Sequence, residues 1–358
     1  METEHTIYFK NSSDMREIES NSIDLMITSP PYPMIEMWDH LFSSLNEEIK
    51  YNLESGEGKN AFNLMHKELD KVWREVARVL KLGGIACINI GDATRKIGKN
   101  FQLFPNHVII TNFFHDNNFI ELPCILWRKP TNSPNKFLGS GMLPPNAYIT
   151  LEHEYILIFR KGDIKRNIST KSEKRYNSAF FWEERNKWFS DLWEDIRGLS
   201  QDLNNNDINQ KNIRKRSAAF PLDIPYRLIN MFSIYEDKVL DPFWGTGTTS
   251  LAAMLSSRNS IGYEIDSGFM ELFKKKITNL KQLNNDINSN RLKQHVEFIK
   301  AYKKENKKIK YVSTQYKFPV ITRQEIGLLL YSIKNYSENR NKFIINHDKY
   351  FYTNTDDY

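Results

Sequence analysis

Apolar and polar positions along the chain follow two spacings that predict helices and strands in turn. Apolar residues between Glu68 and Lys81 recur at helical spacing, which is typical of a helix with one buried face. Gly83 and Gly84 are expected to end that helix. Short apolar runs predict strands at residues 22–28, 85–90, 121–127, 154–159, 238–240 and 260–264, and helical patterns cover residues 105–115, 221–233, 247–256 and 266–280. The alternation predicts an α/β fold, in which helices cover both faces of a mostly parallel sheet.

The segment from residue 161 to residue 216 breaks this alternation. It is polar, basic and rich in asparagine, and we interpret residues 162–216 as an inserted module of loops that lies outside the sheet. Residues 1–161 and 217–280 then form the two halves of one domain. Residues 281–358 are a Lys- and Asn-rich C-terminal extension, in which the apolar run at 326–333 indicates some ordered structure.

Composition argues against several classes of protein. No run of about 18 apolar residues occurs, so we expect no transmembrane helix, and the N-terminal residues lack the pattern of a secretory signal. The only cysteines, Cys87 and Cys124, lie in apolar runs, which argues against a disulfide framework and against a zinc site. The eight histidines show no metal-ligand spacing. We therefore expect a metal-free protein in a reducing, cytoplasmic setting.

The distribution of charge gives a weak indication of a polyanionic partner. The 358-residue chain has a formal net charge of +6, and basic residues cluster at 161–187, 211–216 and 300–310. Aromatic residues lie within or just after the first cluster, at Phe180, Phe181, Trp182, Trp188, Phe189 and Trp193. Such clusters are typical of nucleic-acid-binding surfaces, but also of ordinary solvated faces. Charge alone leaves both interpretations open.

The first chemical signal is a glycine-containing loop between a strand and a helix. The strand at 238–240 runs into Asp241, and Gly245 and Gly247 precede the helix, so the backbone can turn sharply and approach a ligand. Glu264 ends the next strand, 19 residues after Gly245, where a carboxylate can accept bonds from ribose hydroxyls. The loop lacks the Gly-Lys-Ser/Thr of an ATP phosphate loop and the third glycine of a dinucleotide fingerprint. Asp241 suits a positively charged ligand, such as S-adenosyl-L-methionine, better than a pyrophosphate.

The second signal is Ser29-Pro30-Pro31-Tyr32, directly after the strand at 22–28. Two prolines fix the backbone and remove two N–H donors, so hydrogen-bond acceptors remain. If Ser29 and the carbonyl of Pro30 accept both hydrogens of an exocyclic base amine, the nitrogen lone pair is free to attack a methyl group. Tyr32 offers a flat face for an extruded base. A rigid proline turn is the alternative when this motif is considered alone.

Together the two signals resemble the motifs of the DNA amino-methyltransferases. These are a catalytic Ser/Asp/Asn-Pro-Pro-Tyr and a cofactor loop Asp-Pro-Phe-x-Gly-x-Gly-Thr-Thr, which stands here at residues 241–249. The catalytic motif comes first, a circularly permuted order similar to that of the beta class. The resemblance covers roughly residues 6–280 and implies a Rossmann-like methyltransferase fold that uses S-adenosyl-L-methionine. It further implies a target-recognition region at 162–216, double-stranded DNA as substrate, and a restriction endonuclease as functional partner of a monomer or homodimer.

The resemblance also implies roles for individual residues. The implied catalytic residues are Ser29, Pro30, Pro31 and Tyr32. The implied cofactor-binding residues are Asp14, Thr28, Phe220, Pro221, Asp241, Pro242, Phe243, Gly245, Gly247, Thr248, Thr249 and Glu264. Basic residues of the insert that we expect to bind DNA are Lys165, Arg166, Lys171, Lys174, Arg175, Arg214, Lys215 and Arg216. Asp14 is expected to contact the adenine ring of the cofactor.

The target base is the finer question. In the family that the sequence resembles, serine at the first motif position usually accompanies cytosine N4, whereas aspartate or asparagine accompanies adenine N6. Cytosine N4 is therefore the expected target, and adenine N6 the alternative. Pro123-Cys124 permits a cytosine C5 nucleophile, but Cys124 lies in an expected core strand and the motif order is reversed. A methyltransferase with another class of substrate and a non-enzymatic DNA-binding module are further alternatives, which the basic insert and the intact motif disfavour.

Overall fold

A ten-stranded sheet forms the centre of the protein in a computed structural model, which describes residues 1–129, 138–197, 219–306 and 308–352. The strands of these residues are β1 Glu2–Phe9, β2 Ile23–Thr28, β3 Leu80–Ile90, β4 Ala93–Ile97, β5 Asn100–Phe104, β6 Phe119–Arg128, β7 Leu138–Gly139, β8 Ala147–Tyr148, β9 His153–Lys161, β10 Leu192–Trp193, β11 Lys238–Asp241, β12 Asn259–Glu264, β13 Tyr311–Val312, β14 Pro319–Val320, β15 Tyr331–Asn339 and β16 Lys342–Lys349. The large sheet has the order β10-β6-β9-β3-β2-β11-β12-β1-β16-β15. The pairs β4–β5, β7–β8 and β13–β14 form separate two-stranded sheets.

The middle of the large sheet is parallel. Strands β3, β2, β11, β12 and β1 run in one direction, while antiparallel pairings with β9 and β16 lie on either side of this block. All six residues of β2 are buried, as expected for a central strand that is covered on both faces. The predicted α/β class is confirmed, with a sheet that is mixed towards its edges.

The order of the strands also locates a crevice. The chain leaves β2 for β3 on one side and leaves β11 for β12 on the other, so β2 and β11 are neighbours from which the chain turns in opposite directions. The carboxyl ends of two such strands leave an opening at the edge of an α/β sheet, where ligands bind. We call this edge, at the carboxyl ends of β2, β3 and β11, the catalytic edge.

Helices cover both faces of the sheet. In the described residues they are α1 Asp39–Leu45, α2 Glu47–Glu54, α3 Gly58–Val79, α4 Asn106–Asp116, α5 Glu173–Asn177, α6 Trp182–Trp188, α7 Asp223–Phe232, α8 Thr248–Leu255, α9 Phe269–Ile277 and α10 Leu280–Lys304. Leu25 and Ile27 pack with α7, α8 and α9, whereas Met26 packs on the opposite face with α3 and α4. None of these helices combines the length and the apolar character needed to cross a bilayer.

The predicted helix stop at Gly83 and Gly84 is wrong. The helix α3 ends at Val79, and Leu80 is already extended and pairs with Ile23 of β2. The two glycines lie inside β3, where the register jumps so that Ile85 pairs with Leu25. Gly83 has a positive φ of 76°, and a Cβ there would lie 2.5 Å from the backbone N of Arg166. The glycines therefore serve an irregularity of the strand and a close backbone approach.

The C-terminal extension is part of the main fold. Its strand β16 pairs antiparallel with β1, so the extension widens the central sheet. Buried histidines connect the two strands, since Thr3 Oγ1 lies 3.0 Å from His5 Nε2 and 2.9 Å from His347 Nε2. Burial lowers the pKa of His347 to about 4 and that of His5 to about 3. Both rings are therefore neutral in the folded protein.

The extension also holds helix α6 of the insert. Arg291 of α10 donates to both carboxylate oxygens of Glu184, at 2.5 and 2.8 Å, in a pair that is almost fully buried. His295, also on α10, lies between Glu183 Oε1 and the carbonyl of Pro319, each 2.9 Å away. Both ring nitrogens of His295 thus have a hydrogen-bond partner outside α10. The ligand atoms of Glu183, His295 and Glu325 lie within 4.8 Å of one another, a spacing that a metal ion could also bridge. We interpret this cluster as structural, because its hydrogen bonds join α10 to α6.

The insert also joins the sheet, contrary to expectation. Leu192 and Trp193 form β10, which pairs with β6 at the sheet margin. Of the aromatic residues that we associated with nucleic acid, Phe181, Trp188 and Trp193 are buried. They form packing contacts that attach the insert to the body of the protein, and so they cannot stack on bases.

Candidate active site

A cavity of about 560 Å³ opens at the catalytic edge. Ser29, Pro30 and Pro31 line it on one side, directly after β2. The loop from Asp241 to Thr246, directly after β11, lines the other side. Two sequence motifs more than 200 residues apart thus share the walls of one cavity.

A hydrogen bond fastens the two motifs together. The hydroxyl of Thr28, the last residue of β2, donates to Asp241 Oδ1 over 2.7 Å, and the N–H of Phe243 donates to the same oxygen over 3.1 Å. Burial raises the pKa of Asp241 to about 6, although these hydrogen bonds oppose the rise. Because burial disfavours the ionised form of this carboxyl group, a positively charged ligand beside it stabilises that form strongly.

The glycine loop takes a conformation that its sequence demands. Gly247 precedes α8 with a φ of 74°, and a Cβ there would lie 2.4 Å from Phe273 and 2.7 Å from Trp244. The N–H of Gly245 donates to Glu264 Oε2 over 2.9 Å. Two further backbone N–H groups, of residues 265 and 266, donate to Oε1 of the same carboxylate. The loop and the acid at the end of β12 are therefore held as one rigid unit.

Two polar side chains from outside the catalytic motif, Asn89 and Glu154, contact it. Ser29 Oγ donates to the Tyr32 hydroxyl over 3.1 Å, and that hydroxyl donates to Glu154 Oε2 over 2.8 Å. Asn89 Nδ2, at the end of β3, donates to the Tyr32 hydroxyl and to Glu154 Oε2, at 2.8 and 2.7 Å. Burial, and then the charge of Glu154, raise the pKa of Tyr32 well above its ordinary value. The phenol is therefore a neutral hydrogen-bond donor and acceptor.

Comparison with known proteins gives this geometry a family. The model of a family described as DNA methylase matches residues 23–275. The chain belongs to the N6/N4 DNA methylase family.

Individual relatives of this methylase agree. The type II methyltransferase M.MthZI of Methanothermobacter thermautotrophicus is 54% identical, over 98% of this chain and 96% of that protein. The type II methyltransferase M.MjaI of Methanocaldococcus jannaschii is 52% identical, over 83% of this chain and 97% of that protein. A crystal structure from Thermus thermophilus, of a protein assigned as a DNA modification methylase and complexed with S-adenosyl-L-methionine, is 29% identical. It covers 77% of this chain and 94% of that one with a TM-score of 0.59. The methylase is thus a type II DNA methyltransferase that uses S-adenosyl-L-methionine.

The residues at the cavity fit this cofactor, which supplies an electrophilic methyl group when bound. The cofactor carries a sulfonium and an ammonium group, and Asp241 is a buried carboxyl whose hydrogen-bond partners in the described part of the chain are neutral. Glu264, the carboxylate expected to meet the ribose, lines the same cavity at the end of β12. Among the predicted cofactor residues, those that line the cavity are Phe220, Asp241, Pro242, Phe243, Gly245, Thr248 and Glu264. Four others, Thr28, Pro221, Gly247 and Thr249, do not line the cavity but are chain neighbours of residues that do.

The expected contact of Asp14 with the adenine ring is corrected. Its carboxylate pairs with Arg16 over 2.5 Å and lies outside the cavity wall. Ser12 and Ser13 line the cavity instead. The sequence located the right segment but not its register, because the segment between β1 and β2 is irregular and no periodicity indicates which side chain turns inward.

Part of the predicted DNA-binding set lies on the edge of the methylase opposite the cavity. Arg166 pairs with Asp237 over 2.6 Å and with Asp24 over 3.1 Å, at the amino ends of β11 and β2. Lys174 pairs with Glu236, directly before β11. Five residues of β strand, about 16 Å, separate Asp24 from Ser29. Arg166 and Lys174 therefore support the edge opposite the cavity.

The remaining members of that set have two outcomes. Lys165, Lys171 and Arg175 are exposed on the same segment as Arg166. The predicted DNA-binding residues Arg214, Lys215 and Arg216 lie outside the described residues.

Sequence reasoning missed Asn89 and Glu154. One signal was present: Asn89 is a polar residue in the otherwise apolar run at 85–90, and it lies where β3 reaches the catalytic edge. Glu154 gave no such signal, because β9 runs antiparallel and brings its first residues, not its last, to this edge. Cys124, the alternative nucleophile, lies on β6 outside the cavity wall, and burial raises the pKa of its thiol. A partly buried thiol with a raised pKa is a poor nucleophile.

Proposed function

We propose that this methylase transfers the methyl group to the exocyclic N4 of cytosine in double-stranded DNA. Ser29 supports the proposal, because its uncharged hydroxyl occupies the first position of the catalytic motif and lines the cavity beside Asp241. In the family that the motif resembles, this position usually carries serine when the target is cytosine. A flipped base would enter beside Pro30, where rigid acceptors can hold both amine hydrogens.

The product decides between the two exocyclic amines. Genomic DNA from a host without its own methylation, expressing the methylase, is digested to nucleosides and analysed by mass spectrometry, with Ser29→Ala as control. We expect N4-methyldeoxycytidine, which is lost in the control. N6-methyldeoxyadenosine in its place would overturn the assignment of the base. Absence of both would overturn amino transfer to DNA.

We further propose that the methylase protects DNA from a restriction endonuclease of the same specificity. The support is that the two relatives of highest identity reported above are both named type II methyltransferases. DNA recovered from the expressing host should resist one type II endonuclease and remain sensitive to others. If sequencing with modification detection locates the methylated site, cleavage at that site is the direct measurement. Complete cleavage of modified DNA by every enzyme that recognises the site would contradict protection.

We propose that the duplex lies across the catalytic edge, over the hairpin β4–β5. Lys96 and Lys99 are exposed on this hairpin, which follows β3 directly. Each phosphate contact that is lost lowers the slope of log affinity against log salt by about 0.9. Replacing both lysines with alanine should reduce that slope by about 2.

The matched control removes two charges from the opposite edge. Lys171 and Arg175 are exposed on the segment that pairs with the amino ends of the strands. Replacing both with alanine should leave the salt dependence of binding unchanged in fluorescence anisotropy with a labelled duplex. If the slope falls for this control but stays unchanged when Lys96 and Lys99 are replaced, the DNA lies on the opposite edge.

A further inference from the structure

A continuous chain of hydrogen bonds leads from the cavity to a carboxylate. Ser29 Oγ lines the cavity and donates to Tyr32, whose hydroxyl donates to Glu154 Oε2. Asn89 fixes these directions, since its two N–H groups point at the Tyr32 oxygen and at Glu154 Oε2. The Tyr32 oxygen accepts from both Ser29 and Asn89, so the phenol hydrogen is directed at the carboxylate of Glu154.

This order of donors determines what Ser29 can do. Its single hydrogen is directed at Tyr32, so both lone pairs of Oγ remain available on the cavity side. The hydroxyl is then an acceptor for an amine N–H. An acceptor that is itself hydrogen-bonded onward to a charged group is stronger than an isolated hydroxyl, because such chains polarise one another.

The far end of the chain reaches solvent. Glu154 Oε1 lies 2.9 Å from Nζ of Lys129, whose side chain is about half exposed, whereas the side chain of Glu154 is only 12% exposed. The groups facing this carboxylate are Lys129 after β6, Tyr32 after β2 and Asn89 on β3. Gly91 approaches from the fourth side, where a Cβ would lie 3.3 Å from Glu154 Cγ and 3.1 Å from the Tyr32 ring. The absence of a side chain at Gly91 leaves room for Tyr32 and Glu154 to meet.

We propose that Ser29, Tyr32 and Glu154 form a proton relay that removes the proton lost by the target amine, with Glu154 as the positioning residue and proton acceptor at its end. The amine nitrogen gains the methyl carbon as the carbon–sulfur bond breaks and its electron pair stays on sulfur. One N–H proton then passes to Ser29 Oγ, the Ser29 proton to the Tyr32 oxygen, and the Tyr32 proton to Glu154. The carboxylic acid so formed releases its proton to solvent on the Lys129 side. The inference rests on the proposed amino transfer but holds for either base.

A double-mutant cycle tests the relay. Tyr32→Phe keeps the aromatic ring but breaks the chain, and Glu154→Gln keeps the shape but cannot accept the proton. Each is expected to slow single-turnover methyl transfer by about 100-fold, the lower end for proton transfer by a positioned group. The double variant should be no slower than either single variant, because both changes interrupt one path. Glu152→Gln, on an exposed carboxylate two residues before Glu154, is the matched control and should transfer at the wild-type rate.

Two measurements separate the relay from a structural role. The dissociation constant of S-adenosyl-L-methionine should stay within about twofold for both single variants. In the cofactor-free protein with ¹³C-labelled tyrosine, the Tyr32 signal is assigned by its loss in Tyr32→Phe, and Glu154→Gln should shift it while Glu152→Gln should not. Multiplicative losses in the double variant, or an unshifted Tyr32 signal, would overturn the relay. Failure of the wild-type protein to methylate any DNA would instead overturn the proposed function.

Discussion

Asp241→Asn separates the charge of the cofactor site from its shape. Thr28 and the N–H of Phe243 can donate to an amide oxygen as they do to the carboxylate, so the loop keeps its hydrogen bonds. Burial raises the pKa of Asp241 from 3.8 to about 6. That difference corresponds to about 3 kcal/mol, since each pH unit is worth about 1.4 kcal/mol.

The direction of the effect follows from proton linkage. The folded protein binds the Asp241 proton more tightly than the unfolded chain does, so ionisation of this group destabilises the cofactor-free fold. This destabilisation of the cofactor-free fold is absent below about pH 4 and reaches its full size somewhat above pH 6. The Asn variant carries no such penalty. At pH 8 it should therefore be more stable than the wild type by up to about 3 kcal/mol without cofactor, and the gap should close near pH 4.

Cofactor binding should change in the opposite sense. The ionised carboxylate attracts the positive groups of S-adenosyl-L-methionine, and a charged hydrogen bond contributes about 1.5–3 kcal/mol. The variant should therefore bind about 10- to 100-fold more weakly at pH 8. Wild-type affinity should also fall as the pH drops through 6, while the affinity of the variant stays level.

Urea denaturation and calorimetric titration at pH 5 and pH 8 measure both effects. Using the difference between the two proteins cancels the contributions of buried histidines, which titrate in the same range. A variant that is less stable than the wild type at pH 8 would refute the reasoning about burial. Equal cofactor affinity of the two proteins at pH 8 would refute the placement of the positive ligand beside Asp241.

Three further substitutions have defined outcomes. Gly91→Ala should lower the rate of methyl transfer about tenfold without altering cofactor affinity, because the new Cβ displaces the Tyr32 ring by a few tenths of an ångström; unchanged single-turnover kinetics would contradict this. Gly247→Ala should destabilise the protein by more than about 1 kcal/mol and abolish cofactor binding, as measured by thermal denaturation and titration. Gly245→Ala, whose Cβ meets only the carbonyl oxygen of Phe243 at 3.9 Å, should do less; the reverse order would contradict the loop geometry. His347→Gln should lose less free energy of unfolding than the wild type between pH 6.5 and pH 4. Burial holds the pKa of His347 at about 4, so the stabilisation by the neutral ring is fully present above the unfolded pKa and is lost as the pH falls to 4. An equally steep fall in the stability of the variant over this range would contradict the prediction.

The sequence was most informative where local pattern and chemistry coincide. The apolar run of β2 ends at Thr28, and the strand β11 ends at Asp241, so both motifs were expected at strand ends. Their meeting is confirmed by a hydrogen bond between these two side chains. Parallel neighbours present their carboxyl ends at one edge, which made the shared cavity predictable once both strands were recognised.

Features that depend on long-range pairing were not predictable. Arg166 belongs to a basic cluster in the sequence, but its partners Asp24 and Asp237 are far away along the chain. Glu154 reaches the site only because β9 runs antiparallel to β3. Asp14 illustrates the limit for irregular segments, since no spacing shows which residue of such a segment faces inward. The two motifs therefore indicated the kind of substrate, while topology decides which residues can touch it.

The contact between α10 and α6 affects how the insert could be exchanged between related enzymes. The carboxylate of Glu184 and the guanidinium of Arg291 are buried together, and removing one member of such a pair typically costs about 3–5 kcal/mol. A chimera that imports only residues 162–216 would separate Glu184 from Arg291 and Phe181 from the ring of His295, which stacks on it at 4.1 Å. Donor segments should therefore be transplanted as a matched pair, insert together with the C-terminal helix. Natural recombination that exchanges this insert among related enzymes would be under the same constraint.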